Sequence, residues 1–222
     1  MTLVLSPMEQ ADFPRLTQIL HAAYYSTSGI SALLYNSPPS AKSLEKLTET
    51  RKRIAREDAT ARFLKITDTD IGEIIACARW HVYEHGRTEE EMDKKTIITD
   101  DELIPEFNAP VYKALFEPIL RRHKEVMGTR PHIYLATLVT HPDHGRKGAG
   151  SVLLQWGLDK ADEMGLEAFV EATPMGQGLY EKMGFEVAKD VPFDLGQFGE
   201  EGVVHHVCMV RQPKPDPTEG ET

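Results

Sequence analysis

This sequence predicts an α/β fold with a mixed central sheet covered by helices. Three observations carry that expectation. Strand-like and helix-like stretches alternate through the middle of the chain. The run "HIYLATLVT" (132–140) is apolar on both faces, as a strand at the centre of a sheet is. Directly after it, "HPDHGRKGAG" turns at once into a helical pattern.

Taken in order, "TLVLS" is a short strand, and Asp12 is placed to cap a helix with Leu16, Ile19, Leu20 and Ala23 at helical spacing. After "YNSPPS", Ser40 opens a second helix, to about Glu57, carrying Leu44, Leu47 and Ile54. "RFLKI" and "EIIACARWHV" are strands joined by the polar connection "TDTDIG", which ends on Gly72. A long insertion follows, about His85 to Arg130. Its acidic patch "TEEEMDKK" reads as a solvated face. Its helix "APVYKALFEPILRRHKEVM" places Val111, Leu115 and Ile119 on one side and should dock, while Pro118 should kink or split it.

Beyond the central strand, Leu153, Leu154, Gly157, Leu158, Ala161 and Met164 make one helix face, and Gly165 ends that helix. "EAFVEA" is a strand and "GQGLYEKM" a short helix; "FEVAKDV" and "VVHHVCMVR" are closing strands. In the last of these His205, His206 and Cys208 alternate, so at least one faces the core. The segment 212–222, "QPKPDPTEGET", has too little apolar content to order itself. The expected organisation is one domain over 1–211 and a disordered tail.

Composition narrows the function. At 222 residues and 41% hydrophobic, the chain is long enough for a full core without staples. Cys77 and Cys208 are too few for a disulfide framework and fit a reducing compartment, so a cytoplasmic location is expected. The amino terminus does not read as a signal peptide, and no apolar run approaches the roughly 18 residues of a membrane span. The net charge of −10 (25 basic against 35 acidic residues) argues against nonspecific nucleic-acid binding and suits a cationic partner.

Gly145, Gly148 and Gly150 fall within six residues beside Arg146 and Lys147. The nucleoside-triphosphate loop needs a lysine after its last glycine, where this chain has Ser151. The dinucleotide fingerprint counted from Gly148 needs a glycine at Leu153. Both spacings fail, and the physics they share remains. Amides freed at a helix start, at the positive end of its dipole, favour an anion. His141 and His144, three apart, lack a third ligand and read as turn residues, so no metal is expected.

"LVTHPDHGRKGAGSVLL" followed by "LYEKMGFE" resembles the GCN5-related N-acetyltransferase (GNAT) family. Gly148 and Gly150 match its phosphate motif, while Gly145 stands where Gln or Arg is usual and Thr173 where Asn often precedes the family tyrosine. The resemblance implies a single GNAT-like acyl-coenzyme A N-acyltransferase domain with a mixed, mostly antiparallel, splayed sheet. It implies acetyl-coenzyme A as co-substrate, direct transfer to an amine, and a pyrophosphate held by Gly145, Arg146, Lys147, Gly148, Ala149, Gly150 and Ser151. Leu138, Val139 and Thr140 would align the pantetheine arm and the thioester, Thr173 would touch the cofactor, and Tyr180 would protonate the leaving thiolate.

An alkylamine is mostly protonated near neutral pH, so its attack needs a proton acceptor. Glu171, His81 and Glu73 are the candidates, and the sequence leaves the choice open. A covalent route through Cys77 lacks a nameable base. The insertion, with Tyr24, Tyr25 and Tyr35 of the 24–40 segment, is expected to shape the acceptor pocket; Trp80 and Tyr83 are further substrate candidates. The expected acceptor is the primary amine of a small molecule. Protein lysines or amino termini and a non-catalytic acyl-coenzyme A-binding module are the alternatives, and a homodimer is compatible with all three.

Overall fold

The computed structural model describes residues 2–26, 30–94 and 96–215. Its strands are β1 (Leu3–Pro7), β2 (Ala61–Asp68), β3 (Glu73–Tyr83), β4 (His132–Thr140), β5 (Glu167–Ala172), β6 (Glu186–Asp194) and β7 (Val203–Arg211). Its helices are α1 (Phe13–Ser26), α2 (Ser31–Leu34), α3 (Ala41–Glu57), α4 (Glu89–Lys94), α5 (Ala109–Met127), α6 (Ala149–Met164) and α7 (Pro174–Lys182). Among the described residues the strands form one seven-stranded sheet in the order β1-β2-β3-β4-β5-β7-β6. β4 and β5 pair in parallel, and the pairs β1–β2, β2–β3, β5–β7 and β6–β7 are antiparallel. The mixed, mostly antiparallel sheet is the one expected, with the doubly apolar run 132–140 as its middle strand.

The described residues group into two compact units. The first draws on Met1–His81, Asp100–Ala109 and Ala136–Trp156. In its core Phe13, Leu16 and Ile19 of α1 pack with Phe63, Cys77 and Val139. Ser40 caps α3 by accepting from the Ser43 amide, as its position predicted. Asp12 does not cap α1. It closes a 3-10 turn, accepting from the Glu9 amide at 2.7 Å and from Lys65 Nζ at 2.6 Å. Pro14 removes one of the amides that a cap at Asp12 would have bonded.

The second unit draws on Val82–Thr99, Pro110–Leu135 and Gly157–Thr222. Here two expectations are corrected. α5 is not split at Pro118, because burial of Val111, Leu115, Ile119, His123 and Met127 at every fourth residue outweighs the hydrogen bond lost there. The acidic patch is not only a solvated face. α4 buries Met92, and Lys124 of α5 pairs with Glu89 at 3.0 Å and Asp93 at 2.5 Å. The two ends of the insertion are pinned together as well. The Arg87 amide donates to Thr129 O, and Gly86 (φ 74°) lies so close that a Cβ would stand 2.0 Å from that oxygen. At β7, His206 and Cys208 are buried while His205 is exposed and bonds Asp190. Of the expected disordered tail, 216–222 lie outside the described residues.

Candidate active site

β4 ends in Leu138, Val139 and Thr140, of which Val139 is buried and the others half-buried. The His141 amide then donates to Ile75 O at 2.8 Å, and a 3-10 turn over Pro142–His144 closes through the Gly145 amide. Arg146 (φ 60°) and Gly148 (φ 87°) both take the left-handed conformation. For glycine that is free, whereas for Arg146 it costs roughly 1–2 kcal/mol, a cost that the surrounding turn must offset. The first helical bond of α6 runs from the Val152 amide to Gly148 O at 3.1 Å. Helix geometry therefore leaves the amides of Ala149, Gly150 and Ser151 without an intrahelical acceptor. Arg146 and Lys147 are exposed beside them, with Lys147 Nζ 3.2 Å from His144 Nδ1. Three amide donors are thus left at the positive end of a 16-residue helix, the kind of position that favours a phosphate-type anion.

The other motif belongs to the second unit. Thr173 caps α7, its hydroxyl oxygen accepting from the Gly176 amide at 3.2 Å. Tyr180 is 7% exposed and meets Phe185 edge-on at 5.7 Å. Gly176 packs close to Tyr180: a Cβ there would stand 3.0 Å from the ring.

Glu171 of β5 is nearly buried, and its Oε1 makes no hydrogen bond. That oxygen lies 3.2 Å from His123 Nδ1, a charge-pair distance without hydrogen-bond alignment. His123 Nε2 is 3.1 Å from His132 Nε2, and His132 Nδ1 is 2.7 Å from Arg130 O. The His123 ring stacks on Phe169 at 4.2 Å and meets Tyr134 edge-on at 4.4 Å. Burial pushes His132 down to about 4.

The remaining candidates sit in plainer surroundings. His81 is buried with Nδ1 2.9 Å from Thr60 Oγ1 and 3.5 Å from Asp58 Oδ2. Glu73 is exposed and pairs with Arg15 at 3.1 Å. Cys77 is fully buried, and burial pushes its thiol up to about 12, which leaves no thiolate for a covalent route. Trp80 corrects an expectation. It is fully buried and its indole N–H donates to Leu153 O, so it packs the core and cannot touch a substrate there. Tyr83 lies under the Arg87 guanidinium at 4.8 Å.

In the first unit, Tyr25 stacks on His21 at 4.9 Å and meets Tyr35 at 5.3 Å, and Tyr35 meets Phe107 at 5.0 Å. Tyr24 is exposed. Residues 34–36 pair with 106–108 through the Tyr35–Phe107 bridge and the Asn36 and Asn108 amides. Glu106 anchors this pairing, accepting from the Ser43 hydroxyl at 2.6 Å and the Ser40 amide at 2.9 Å. Those hydrogen bonds hold its carboxyl down at about 2. His21, Phe107, Glu106, His123 and His132 were missed by sequence reasoning. Only His123 carried a local signal, since it falls on the Val111–Leu115–Ile119 stripe one turn further on. Among the described residues no helix is long and apolar enough to cross a membrane, and no cluster of three or more His, Cys, Asp or Glu side chains is arranged to hold a metal ion.

Against known proteins, residues 28–185 match the model of the acetyltransferase (GNAT) family. Among solved structures, the fold is similar to a mosquito arylalkylamine N-acetyltransferase like 5b, with 16% identity, TM-score 0.64, and 95% of this chain and 100% of that one covered. It is also similar to a Corynebacterium glutamicum histone acetyltransferase HPA2 and related acetyltransferase (20%, 0.59, 98% and 99%). A third is a Sinorhizobium meliloti phosphinothricin acetyltransferase solved with acetyl-coenzyme A (16%, 0.56, 99% and 95%).

Proposed function

Because this chain belongs to the acetyltransferase (GNAT) family, we propose that it moves the acetyl group of acetyl-coenzyme A to the primary amine of a small molecule. The observation that carries this reading is the backbone at 145–151, where left-handed Arg146 and Gly148 precede three amides left over by α6. These residues fit a pyrophosphate. When bound, acetyl-coenzyme A supplies an activated acyl carbon and that anion.

The chain does the rest. Ala149, Gly150 and Ser151 donate their amides to the pyrophosphate, and Arg146 and Lys147 add charge that needs no fixed geometry. Leu138, Val139 and Thr140 align the pantetheine arm, and an amide near Val139 donates to the thioester oxygen. Thr173 has already accepted from Gly176 and donates its hydroxyl hydrogen to the cofactor. The Tyr180 hydroxyl gives its proton to the departing thiolate. Glu171 takes the proton of the amine. It is preferred over His81 and Glu73 because its buried carboxylate oxygen makes no hydrogen bond, whereas Glu73 is spent on Arg15 and His81 Nδ1 on Thr60.

A small acceptor is favoured by the rings of Tyr25, Tyr35 and Phe107, whose faces suit an ammonium or a compact apolar body. Tyr24 and Tyr83 complete the proposed acceptor contacts. Incubation of the full chain with acetyl-coenzyme A and pooled amines, polyamines and peptides, read by mass spectrometry, tests this. Acetylated small amines are expected; acetylation of peptides alone would overturn the acceptor class.

A further inference from the structure

The buried chain from Glu171 through His123 and His132 to Arg130 O has a proton count that its geometry fixes. A carbonyl oxygen only accepts, so His132 Nδ1 carries a hydrogen and donates it to Arg130 O at 2.7 Å. Near neutral pH His132 is uncharged, because burial holds it down at about 4, and its Nε2 is bare. His123 Nε2, 3.1 Å away, must therefore be the donor in that contact. With its other nitrogen committed, His123 Nδ1 meets Glu171 Oε1 at 3.2 Å. If neither carried a proton, a bare ring nitrogen would stand 3.2 Å from an ionised oxygen in a nearly buried site. One proton resides there, and the pair has net charge zero whether the imidazole or the carboxyl holds it.

We propose that His123 is a positioning residue for Glu171, an imidazolium oriented by His132 that keeps the buried carboxylate ionised and ready to receive the acceptor's proton. The inference rests on the proposed function only for the identity of that acceptor. In the step, an ammonium N–H bond breaks, its proton goes to a Glu171 carboxylate oxygen, and the electron pair stays on nitrogen for attack. Without the imidazolium, a nearly buried carboxyl would be driven towards its neutral form, which accepts no proton.

Among the described residues, His123 is the ionisable group at ion-pair distance from Glu171. On α5 its sequence neighbours are Arg122, paired with Glu125, and Lys124, paired with Glu89 and Asp93. β4 contributes His132 and Tyr134, and β7 places Cys208 opposite Glu171 with its thiol pushed up to about 12 by burial. Arg130 pairs with Glu167 at 3.0 Å, and Arg87 lies over Tyr83. α7, which also packs on β5, brings Tyr180 as its buried titratable group.

The test uses the full chain labelled with 15N-histidine. At pH 7 both ring nitrogens of His123 should carry hydrogen, while His132 should be neutral with its hydrogen on Nδ1. In Glu171→Gln, which keeps the shape and removes the charge, the ring-nitrogen signals of His123 at pH 7 should move towards those of a neutral ring. In His123→Gln the acid limb of kcat/KM against pH should move up by about one unit, with the KM for acetyl-coenzyme A kept. A neutral His123 at pH 7, or ring-nitrogen signals unmoved in Glu171→Gln, overturns the pair. An acid limb that stays in place in an active His123→Gln overturns its positioning role. Should the wild-type chain acetylate no amine, the proposed function falls while the nitrogen spectra still decide the pair.

Discussion

The two units do their chemistry with different materials. In the first, the proposed anion cradle is backbone: left-handed Arg146 and Gly148 followed by the amides of Ala149, Gly150 and Ser151. In the second, the groups proposed to handle protons are side chains, each on a helix or strand of its own, with Tyr180, His123 and His132 buried and Glu171 nearly so. A backbone device is set by conformation and fails when a side chain forbids the conformation. A side-chain device is set by ionisation and fails when a charge or a proton is removed while the shape persists. Affinity for the cofactor should therefore follow the first region, and rate and pH dependence the second.

Gly148→Val should show the largest effect. A β-branched residue at φ 87° is strongly disfavoured, so the turn should rearrange and acetyl-coenzyme A affinity fall at least about a hundredfold by calorimetry. A few-fold change would mean that the cradle is not made of backbone. Tyr180→Phe tests the other side of the contrast. Turnover should drop by roughly a hundredfold, as for a lost general acid, with cofactor affinity nearly unchanged. Equal losses in both quantities would place Tyr180 in binding instead.

Smaller effects sharpen the same division. Phe107→Ala removes one ring from the Tyr25–Tyr35–Phe107 wall, so the acceptor KM should rise about tenfold, the order of 1–2 kcal/mol of aromatic contact, with cofactor affinity kept. An unchanged acceptor profile would remove the wall from the site. Glu106 is held below its ordinary 4.5, at about 2, by Ser43 and Ser40, so its ionised form stabilises the fold above about 4.5. That contribution is lost as pH falls from there through about 2. Glu106→Gln should thus melt lower than wild type at pH 7, with the gap closing in acid; a gap independent of pH would contradict the assignment. Cys77→Ala should change turnover least, within about twofold in folded protein, since a thiol at about 12 supplies no nucleophile.

The same contrast explains what could be read from the sequence. The cradle was legible because its parts are contiguous: glycines, a turn and a helix start leave a pattern over a dozen residues. α6, α3 and the central strand were legible for the same reason, through their apolar spacing. Glu171 was recognised as a candidate, but its partners come from α5 and β4, and nothing local says that His123 faces His132. The pairing of 34–36 with 106–108 is equally silent in sequence, since its hydrogen bonds join segments about 70 residues apart. Asp12 and Pro118 misled for a related reason. A cap at Asp12 gave way to Pro14's missing amide and to the bonds from Glu9 and Lys65, and splitting at Pro118 to five buried residues of α5.

The central claim, that this chain binds acetyl-coenzyme A by the backbone at the start of α6, is tested most directly by titration calorimetry on Gly150→Glu. The new side chain brings bulk and negative charge to the helix start, where three amides await an anion. Acetyl-coenzyme A binding should be abolished while the circular dichroism spectrum remains that of the wild type. Wild-type affinity in a folded Gly150→Glu chain would contradict the account.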